Sequence, residues 1–140
     1  YASPPKTVKE VYDSQIAVKE QPAGSNWGVA VQNYLAAVKL KSPAPWCAAF
    51  VKWTFDQAGV KTNITAWSPT AHNRRNVVFE RSKFLQEPRA GDVFTLWFPR
   101  LKRIAHTGFF DRRVNSTVYR TVEGNTNEAG SREGDGVYVK

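Results

Sequence analysis

One cysteine, Cys47, stands in the segment Pro-Ala-Pro-Trp-Cys-Ala-Ala-Phe-Val-Lys-Trp, and the chain contains no other. The prolines at positions 43 and 45 disfavour a helix up to that point, whereas the apolar spacing that follows predicts a helix over residues 46–58. The thiol would then lie in the first helical turn, where unpaired backbone N–H groups and the helix dipole favour a thiolate. A lone cysteine at that position is typical of a nucleophile.

A thiol nucleophile needs a base, and the chain has two histidines, His72 and His106. His72 is followed closely by Arg74 and Arg75, two cations that disfavour a protonated imidazole. His106 lies in a segment whose alternation predicts a strand, with Gly108 beside it on one face of the sheet. A single histidine is more often a buried structural residue, but in a chain with one well-placed cysteine His106 is the preferred base.

A third polar group must hold the imidazole in one tautomer. The next predicted strand ends in Glu123-Gly124-Asn125, and either Glu123 or Asn125 can accept a hydrogen bond from the His106 ring. Glycine and asparagine also favour tight turns, so the segment fits an ordinary connection between strands as well. The two roles are compatible, and both polar residues remain candidates.

The spacing of apolar residues changes near Gly91, from the period of a helix to the alternation of a strand. Before that point the pattern predicts helices over residues 9–19, 27–40 and 46–58, with Asn26 as the N-cap of the second and a short helix opening at Ser68-Pro69. After it, alternation predicts strands over residues 92–98, 104–112, 116–123 and 136–140. Helices followed by an antiparallel run of strands predict an α+β fold, in which the N-terminal helices pack on a C-terminal sheet.

The net charge of +8 is concentrated in one part of the chain. Residues 74–113 contain ten Lys or Arg against four Asp or Glu, which suits an anionic partner or, equally, a solvated surface. The alternative function is therefore a non-catalytic module that binds a polyanion or the cell wall through its basic residues. These are Arg74, Arg75, Arg100, Lys102 and Arg103.

Several function classes have no support in the sequence. No motif typical of nucleic-acid binding accompanies the basic residues, and no apolar run approaches the length of a membrane span. One cysteine and two separated histidines form no metal-ligand cluster, so we expect no metal and no cofactor. The chain starts at Tyr1 and contains no methionine, which we expect of a mature or trimmed form.

Four short motifs stand in the order and spacing of the CHAP family: Trp-Cys-Ala-Ala-Phe-Val at 46–51, Gly-Asp-Val-Phe at 91–94, His-Thr-Gly-Phe at 106–109 and Val-Glu-Gly-Asn at 122–125. CHAP domains are papain-like cysteine amidases and peptidases that cleave bacterial peptidoglycan. The chain resembles this family over residues 26–140, which implies a papain-like catalytic domain there. Residues 1–25 are then an N-terminal linker and helical extension.

The resemblance also implies roles for individual residues. Cys47 corresponds to the nucleophile, His106 to the general base, Glu123 to the residue that orients the histidine, and Asn125 to the polar group beside it. Some relatives bind calcium through an acidic cluster, and this chain has no comparable group of carboxylates near the start of the domain. Candidates for lining the substrate cleft are three tryptophans, for which a core position is the more common alternative. They are Trp46, Trp67 and Trp97.

The sequence thus predicts a cysteine hydrolase that cleaves an amide or peptide bond of peptidoglycan by Cys-His-Glu catalysis. We expect it to act as a monomer in the bacterial cell envelope, either periplasmic or secreted, without nucleic acid as a partner. A housekeeping enzyme, an antibacterial toxin and a lysin would share this site, and the sequence leaves the cleaved bond open.

Overall fold

Three helices precede a sheet in the computed structural model, which describes residues 6–80, 83–84, 86–126 and 134–140. The α-helices are α1 (Val8–Ser14), α2 (Val29–Ala37) and α3 (Cys47–Gln57), and 3-10 helices span Ser68–Ala71 and Arg74–Asn76. The strands are β1 (Phe79–Glu80), β2 (Lys83–Phe84), β3 (Val93–Phe98), β4 (Arg103–Arg113), β5 (Tyr119–Thr126) and β6 (Gly136–Val139). Within the described ranges, no helix is long and apolar enough to cross a membrane.

The main sheet is antiparallel and has the order β3-β4-β5-β6, so neighbouring strands are also consecutive in sequence. Strands β1 and β2 form a separate antiparallel pair, inside a region for which the sequence predicted no strand. Helix α3 packs on β4 and β5, and α1 and α2 both contact α3. The predicted α+β class, with helices first and an antiparallel sheet afterwards, is confirmed.

Helices α1 and α2 are shorter than predicted, for local reasons. Helix α1 begins with a capping box between Thr7 and Glu10 and stops at Ser14, since Ala17 has a left-handed backbone with φ 76°. Helix α2 does not begin at residue 27 with Asn26 as its cap. Gly28 is the N-cap instead, and its φ of 123° is strained for any other residue.

Strand β5 lies three residues further along the chain than predicted. The Asn115 side chain accepts hydrogen bonds from the backbone N–H groups of Thr117 and Val118, both at 3.0 Å, and this turn delays the start of the strand. At the other end, pairing with β6 carries the strand past the Gly124 position to Thr126. Long-range strand pairing therefore outweighs the local turn preference of Gly-Asn.

The hydrophobic core lies between the helices and the inner face of the sheet. Aromatic rings fill its centre: Tyr34 stacks on Trp46 with ring centroids 5.4 Å apart and meets Phe50 edge-on at 5.2 Å. The remaining fully buried core residues come from all three helices and from β4, β5 and β6, namely Tyr12, Val31, Leu35, Ala49, Val51, Phe109, Val122 and Val137.

The N-terminal helix belongs to this same core. Tyr12 is fully buried, its ring stacks on Phe109 at 4.9 Å, and its hydroxyl donates a 2.6 Å hydrogen bond to Asp111. The Asp111 side chain is completely buried and also pairs with Lys9 and Arg120. Burial alone would raise the pKa of Asp111, but these three partners outweigh it and lower the pKa. The segment predicted as a linker and extension is thus joined to β4 by packing and charge.

Candidate active site

Cys47 is the first residue of α3, in the turn that the sequence predicted for it. The residue is 7% exposed, so its thiol reaches the surface only through a narrow opening. The first intrahelical hydrogen bond runs from the Phe50 N–H to the Trp46 carbonyl oxygen at 2.9 Å. The backbone N–H of Cys47 lies before that bond and so has no partner within the helix. The N–H groups at this end also carry the positive partial charge of the helix dipole.

His106 and Glu123 meet on adjacent strands in front of that helix end. Nε2 of His106, on β4, lies 2.8 Å from Oε1 of Glu123, on β5. The second carboxylate oxygen of Glu123 accepts a 2.5 Å hydrogen bond from the hydroxyl of Thr121. Both oxygens of the carboxylate are therefore held. Sequence reasoning missed the role of Thr121, which lies two residues before Glu123 on the strand and so shares a face with it.

Gly108 gives the Glu123 side chain room to reach His106. Its strand neighbours are Phe94 across β3 and, by the register of β4 with β5, Glu123 on the other side. A Cβ added at Gly108 would lie 2.8 Å from the Phe94 ring and 2.9 Å from Cγ of Glu123. Glycine is required here because the carboxylate passes directly over this position to the imidazole.

The environment of His106 favours the protonated ring. Burial alone lowers the pKa of this imidazole, but interactions with Cys47 and Glu123 outweigh it and raise the pKa to about 9. Burial would raise the pKa of Glu123, yet the hydrogen bonds from His106 and Thr121 lower it. At neutral pH the histidine is therefore an imidazolium held by a carboxylate.

The other ring nitrogen of His106 is left for the thiol. Nδ1 is buried and makes no completed hydrogen bond. Nε2 is bonded to Glu123, and the Cys47 side chain also interacts with the ring and raises its pKa, which leaves Nδ1 as the nitrogen available to the thiol. Catalytic hydrogen bonds are often long in an unliganded site and shorten when substrate binds.

Asn125, the other candidate partner of the histidine, makes no hydrogen bond to it in this structure. The residue is 1% exposed, and both polar atoms of its side chain are buried without a hydrogen-bond partner among the residues that the structure describes. Its backbone is left-handed, with φ 57°, at the irregularity in the pairing of β5 with β6. Of the two acceptors that the sequence left open, Glu123 is the one that contacts His106.

A cleft of about 120 Å³ opens beside the thiol. Its lining residues come from the start of α3, the 3-10 helix that follows residue 67, and the first residues of β4: Pro45, Cys47, Ala66, Trp67, Ser68, Arg103 and Ala105. The hydroxyl of Ser68 donates to the backbone oxygen of Ile104 at 3.0 Å and so joins the 3-10 helix to β4. Sequence reasoning did not connect Ser68 with the site, and no local pattern marks it.

The three tryptophans proposed to line the cleft occupy different places. Trp67 lines it and is 53% exposed. Trp46 is fully buried in the core, and its indole N–H donates a 2.8 Å hydrogen bond to Glu20, so it faces away from the cleft. Trp97 is 62% exposed on β3 and is not part of the cleft lining. The core alternative applies to Trp46 alone.

Of the remaining sequence candidates, all but Arg103 lie outside the cleft. His72, the disfavoured base, is exposed after the 3-10 helix, and of the five basic residues considered for polyanion binding only Arg103 lines the cleft. In the part of the chain that the structure describes, no three His, Cys, Asp or Glu side chains are grouped to hold a metal ion.

We expect Gly108→Ala to destabilise the fold and to disturb the histidine together. The added methyl group overpacks the space between Phe94 and Glu123, which costs about 1–3 kcal/mol of the free energy of unfolding. Displacing the carboxylate also removes one interaction that raises the pKa of His106, so this pKa should fall below about 9. Urea denaturation and NMR titration of the ring measure both effects, and unchanged values of both would contradict the described packing.

No family model, curated protein or solved structure matches this chain, and its function is therefore inferred from the residues and geometry of the site.

Proposed function

We propose that this protein is a papain-like cysteine hydrolase of the bacterial cell envelope that cleaves an amide or peptide bond of peptidoglycan. One observation carries the proposal. A cysteine at a helix start lines a cleft, and a buried histidine that interacts with this cysteine is held by a carboxylate 2.8 Å away. A nucleophile, a base and an orienting group in mutual reach are the parts that covalent acyl transfer requires. The resemblance of the surrounding motifs to the CHAP family supports peptidoglycan as the substrate.

The first chemical step forms a thioester. His106 takes the proton of the Cys47 thiol, the sulfur attacks the carbonyl carbon of the amide, and the negative charge moves to the carbonyl oxygen. The backbone N–H of Cys47, ahead of the first hydrogen bond of α3, is a donor for that oxygen. As the carbon–nitrogen bond breaks, the protonated His106 ring gives its Nδ1 proton to the leaving amine.

The second step returns the enzyme to its starting state. The neutral His106 ring takes a proton from a water molecule, whose oxygen attacks the thioester carbon. The carbon–sulfur bond then breaks, which releases a carboxylic acid and frees the Cys47 sulfur, while the proton taken from water remains on the His106 ring. Glu123 keeps Nε2 of the ring occupied through both steps, so that Nδ1 remains the nitrogen that exchanges the proton.

Purified peptidoglycan is the substrate that tests this proposal. Wild-type protein should release new primary amines and no new reducing sugars, and mass spectrometry of the soluble fragments then identifies the cleaved bond. The Cys47→Ala variant is the matched negative control. If the wild type binds the polymer and releases no amines, hydrolysis is refuted and the polyanion-binding alternative gains support.

Hydrolysis should decline as the pH rises through about 9, because the imidazolium that protonates the leaving amine is then lost. The same interactions stabilise the fold while the ring is protonated. Their contribution to the free energy of unfolding is fully present below the pKa of an unfolded histidine and is lost as the pH rises through about 9. Glu123→Gln removes one of the two interactions that raise this pKa, so it should shift the high-pH limb to lower pH. The measurement is kcat/KM against pH.

A suitable control for that experiment is Glu87→Gln, which alters a glutamate whose side chain is 63% exposed and pairs with Arg113. This variant should keep the wild-type pH profile. A wild-type profile that stays flat to pH 10, or a limb that Glu123→Gln leaves unmoved, would show that His106 is not the acid.

A further inference from the structure

Arg103 is the charged residue of the cleft. Of the other six lining residues, four are apolar, one is the nucleophile Cys47, and Ser68 is engaged with the backbone of Ile104. Arg103 opens β4 three residues before the catalytic His106, so the same strand supplies the base and a permanent positive charge. A substrate that reaches the thiol therefore passes a guanidinium group.

The guanidinium of Arg103 is fixed on two sides. Its central carbon lies 4.2 Å from the centre of the Trp67 ring, in a cation–π contact. One terminal nitrogen, Nη1, donates a 2.9 Å hydrogen bond to the backbone oxygen of Ile104 and lies 3.5 Å from Oγ of Ser68. A side chain held in this way loses little conformational entropy when it binds a ligand. It therefore binds a ligand more favourably than a mobile cation on the surface would.

The rest of the guanidinium has no acceptor among the described residues. Arginine carries five N–H donors, and the contacts given above use only those of Nη1. Three cations near the sheet have acidic partners: Lys9 and Arg120 pair with Asp111, and Arg113 pairs with Glu87. Within the described ranges no carboxylate lies within ion-pair distance of Arg103. The remaining N–H donors of Arg103 are therefore available to a ligand.

We propose that Arg103 is a specificity-determining residue that binds a carboxylate of the peptide substrate close to the scissile amide. The inference rests on the proposed function and adds to it a substrate class: peptides with a free carboxylate within reach of the cleft, in preference to amidated ones. A planar guanidinium matches a carboxylate through two parallel hydrogen bonds. The positive end of α3, on the opposite wall beside Cys47, favours the same negative charge.

The test compares soluble muropeptides with the same muropeptides after their carboxylates have been converted to carboxamides. For the wild type, amidation should lower kcat/KM by about 10- to 100-fold, the usual range for a charge-assisted hydrogen bond or pair of bonds. Arg103→Gln should lower kcat/KM for the native muropeptides by a similar factor, chiefly through KM, and should abolish the difference between the two substrates. Arg112→Gln, an equal charge change at an exposed arginine of the same strand outside the cleft, should behave like the wild type.

Binding measurements separate failure of this inference from failure of the proposed function. In a Cys47→Ala background, calorimetry with native and amidated muropeptides should show the same preference, again lost in the Cys47→Ala, Arg103→Gln double variant. If the muropeptides are not cleaved, the proposed function fails, and the binding preference alone decides the role of Arg103. If Arg103→Gln, folded by circular dichroism, keeps the wild-type preference for carboxylates, the inference is overturned.

Discussion

Replacing Cys47 with alanine is expected to lower the hydrolysis of peptidoglycan by roughly 10⁴- to 10⁶-fold, the range seen when one member of a nucleophile–base pair is removed. The loss is this large because the nucleophile and its base act as a unit, so the remaining His106 cannot compensate. Rates of amine release at equal protein concentration measure the effect. A loss smaller than about tenfold would exclude Cys47 as the nucleophile.

The thiol can be removed without a large change in packing, which makes the experiment interpretable. Cys47 lies at the wall of the cleft and retains 7% exposure, so alanine leaves space that is continuous with solvent rather than a closed cavity. A matched variant, Cys47→Ser, keeps the shape of the side chain but supplies a hydroxyl that imidazole ionises poorly. Both variants should unfold in urea near the wild-type midpoint while both lose activity.

Replacing Asp111 with alanine is expected to lower the free energy of unfolding by about 3–5 kcal/mol, the usual cost of leaving one side of a buried ion pair without its partner. The Asp111 side chain is completely buried and accepts hydrogen bonds from Lys9, Tyr12 and Arg120. Without it, the buried Tyr12 hydroxyl and a mostly buried guanidinium lose their acceptor. Since domains of this size are stabilised by roughly 5–15 kcal/mol, the change is a large part of the total.

Urea denaturation followed by tryptophan fluorescence measures this effect, and a surface pair provides the control. Asp56→Ala removes an exposed partner of Lys52 one helical turn away and should change stability by less than about 1 kcal/mol. The Asp111 contribution should be present above the pKa of an unfolded aspartate and disappear as the pH falls through its lower folded value. Equal effects of the Asp111 and Asp56 substitutions would contradict the buried network.

Local sequence signals were sufficient for the elements that hold the site. The helix predicted over residues 46–58 is Cys47–Gln57, because prolines exclude a helix before it and the apolar stripe continues to its end. The strand predicted over residues 104–112 is Arg103–Arg113, although residues 105–109 are all buried and so do not alternate in burial. The start of α2 and the bounds of β5 were wrong, since a left-handed Gly28 and pairing with β6 determine them, and neither leaves a strong local pattern.

In the candidate site too, local signals predicted some residues and long-range contacts placed the others. Cys47, His106 and Glu123 were chosen by residue type and position on an element, and strand pairing places the histidine and the glutamate in contact. Ser68 and Arg103 reach the cleft from segments 35 residues apart in sequence, through an interaction that no periodicity encodes. Trp46 looked like a cleft residue because of its neighbour, yet the side chain one position before a helix turns to the opposite side, into the core.

The attachment of α1 to β4 bears on how small a working version of this protein can be made. A chain shortened to residues 26–140 would keep every residue of the candidate site. It would also lose Tyr12, which covers Phe109, and Lys9, which pairs with Asp111, so an aromatic face and an unshielded carboxylate would be opened to water. Because β4 carries Asp111 and His106 on one continuous strand, the minimal unit for expression, crystallisation or fusion to another protein extends back to the start of α1.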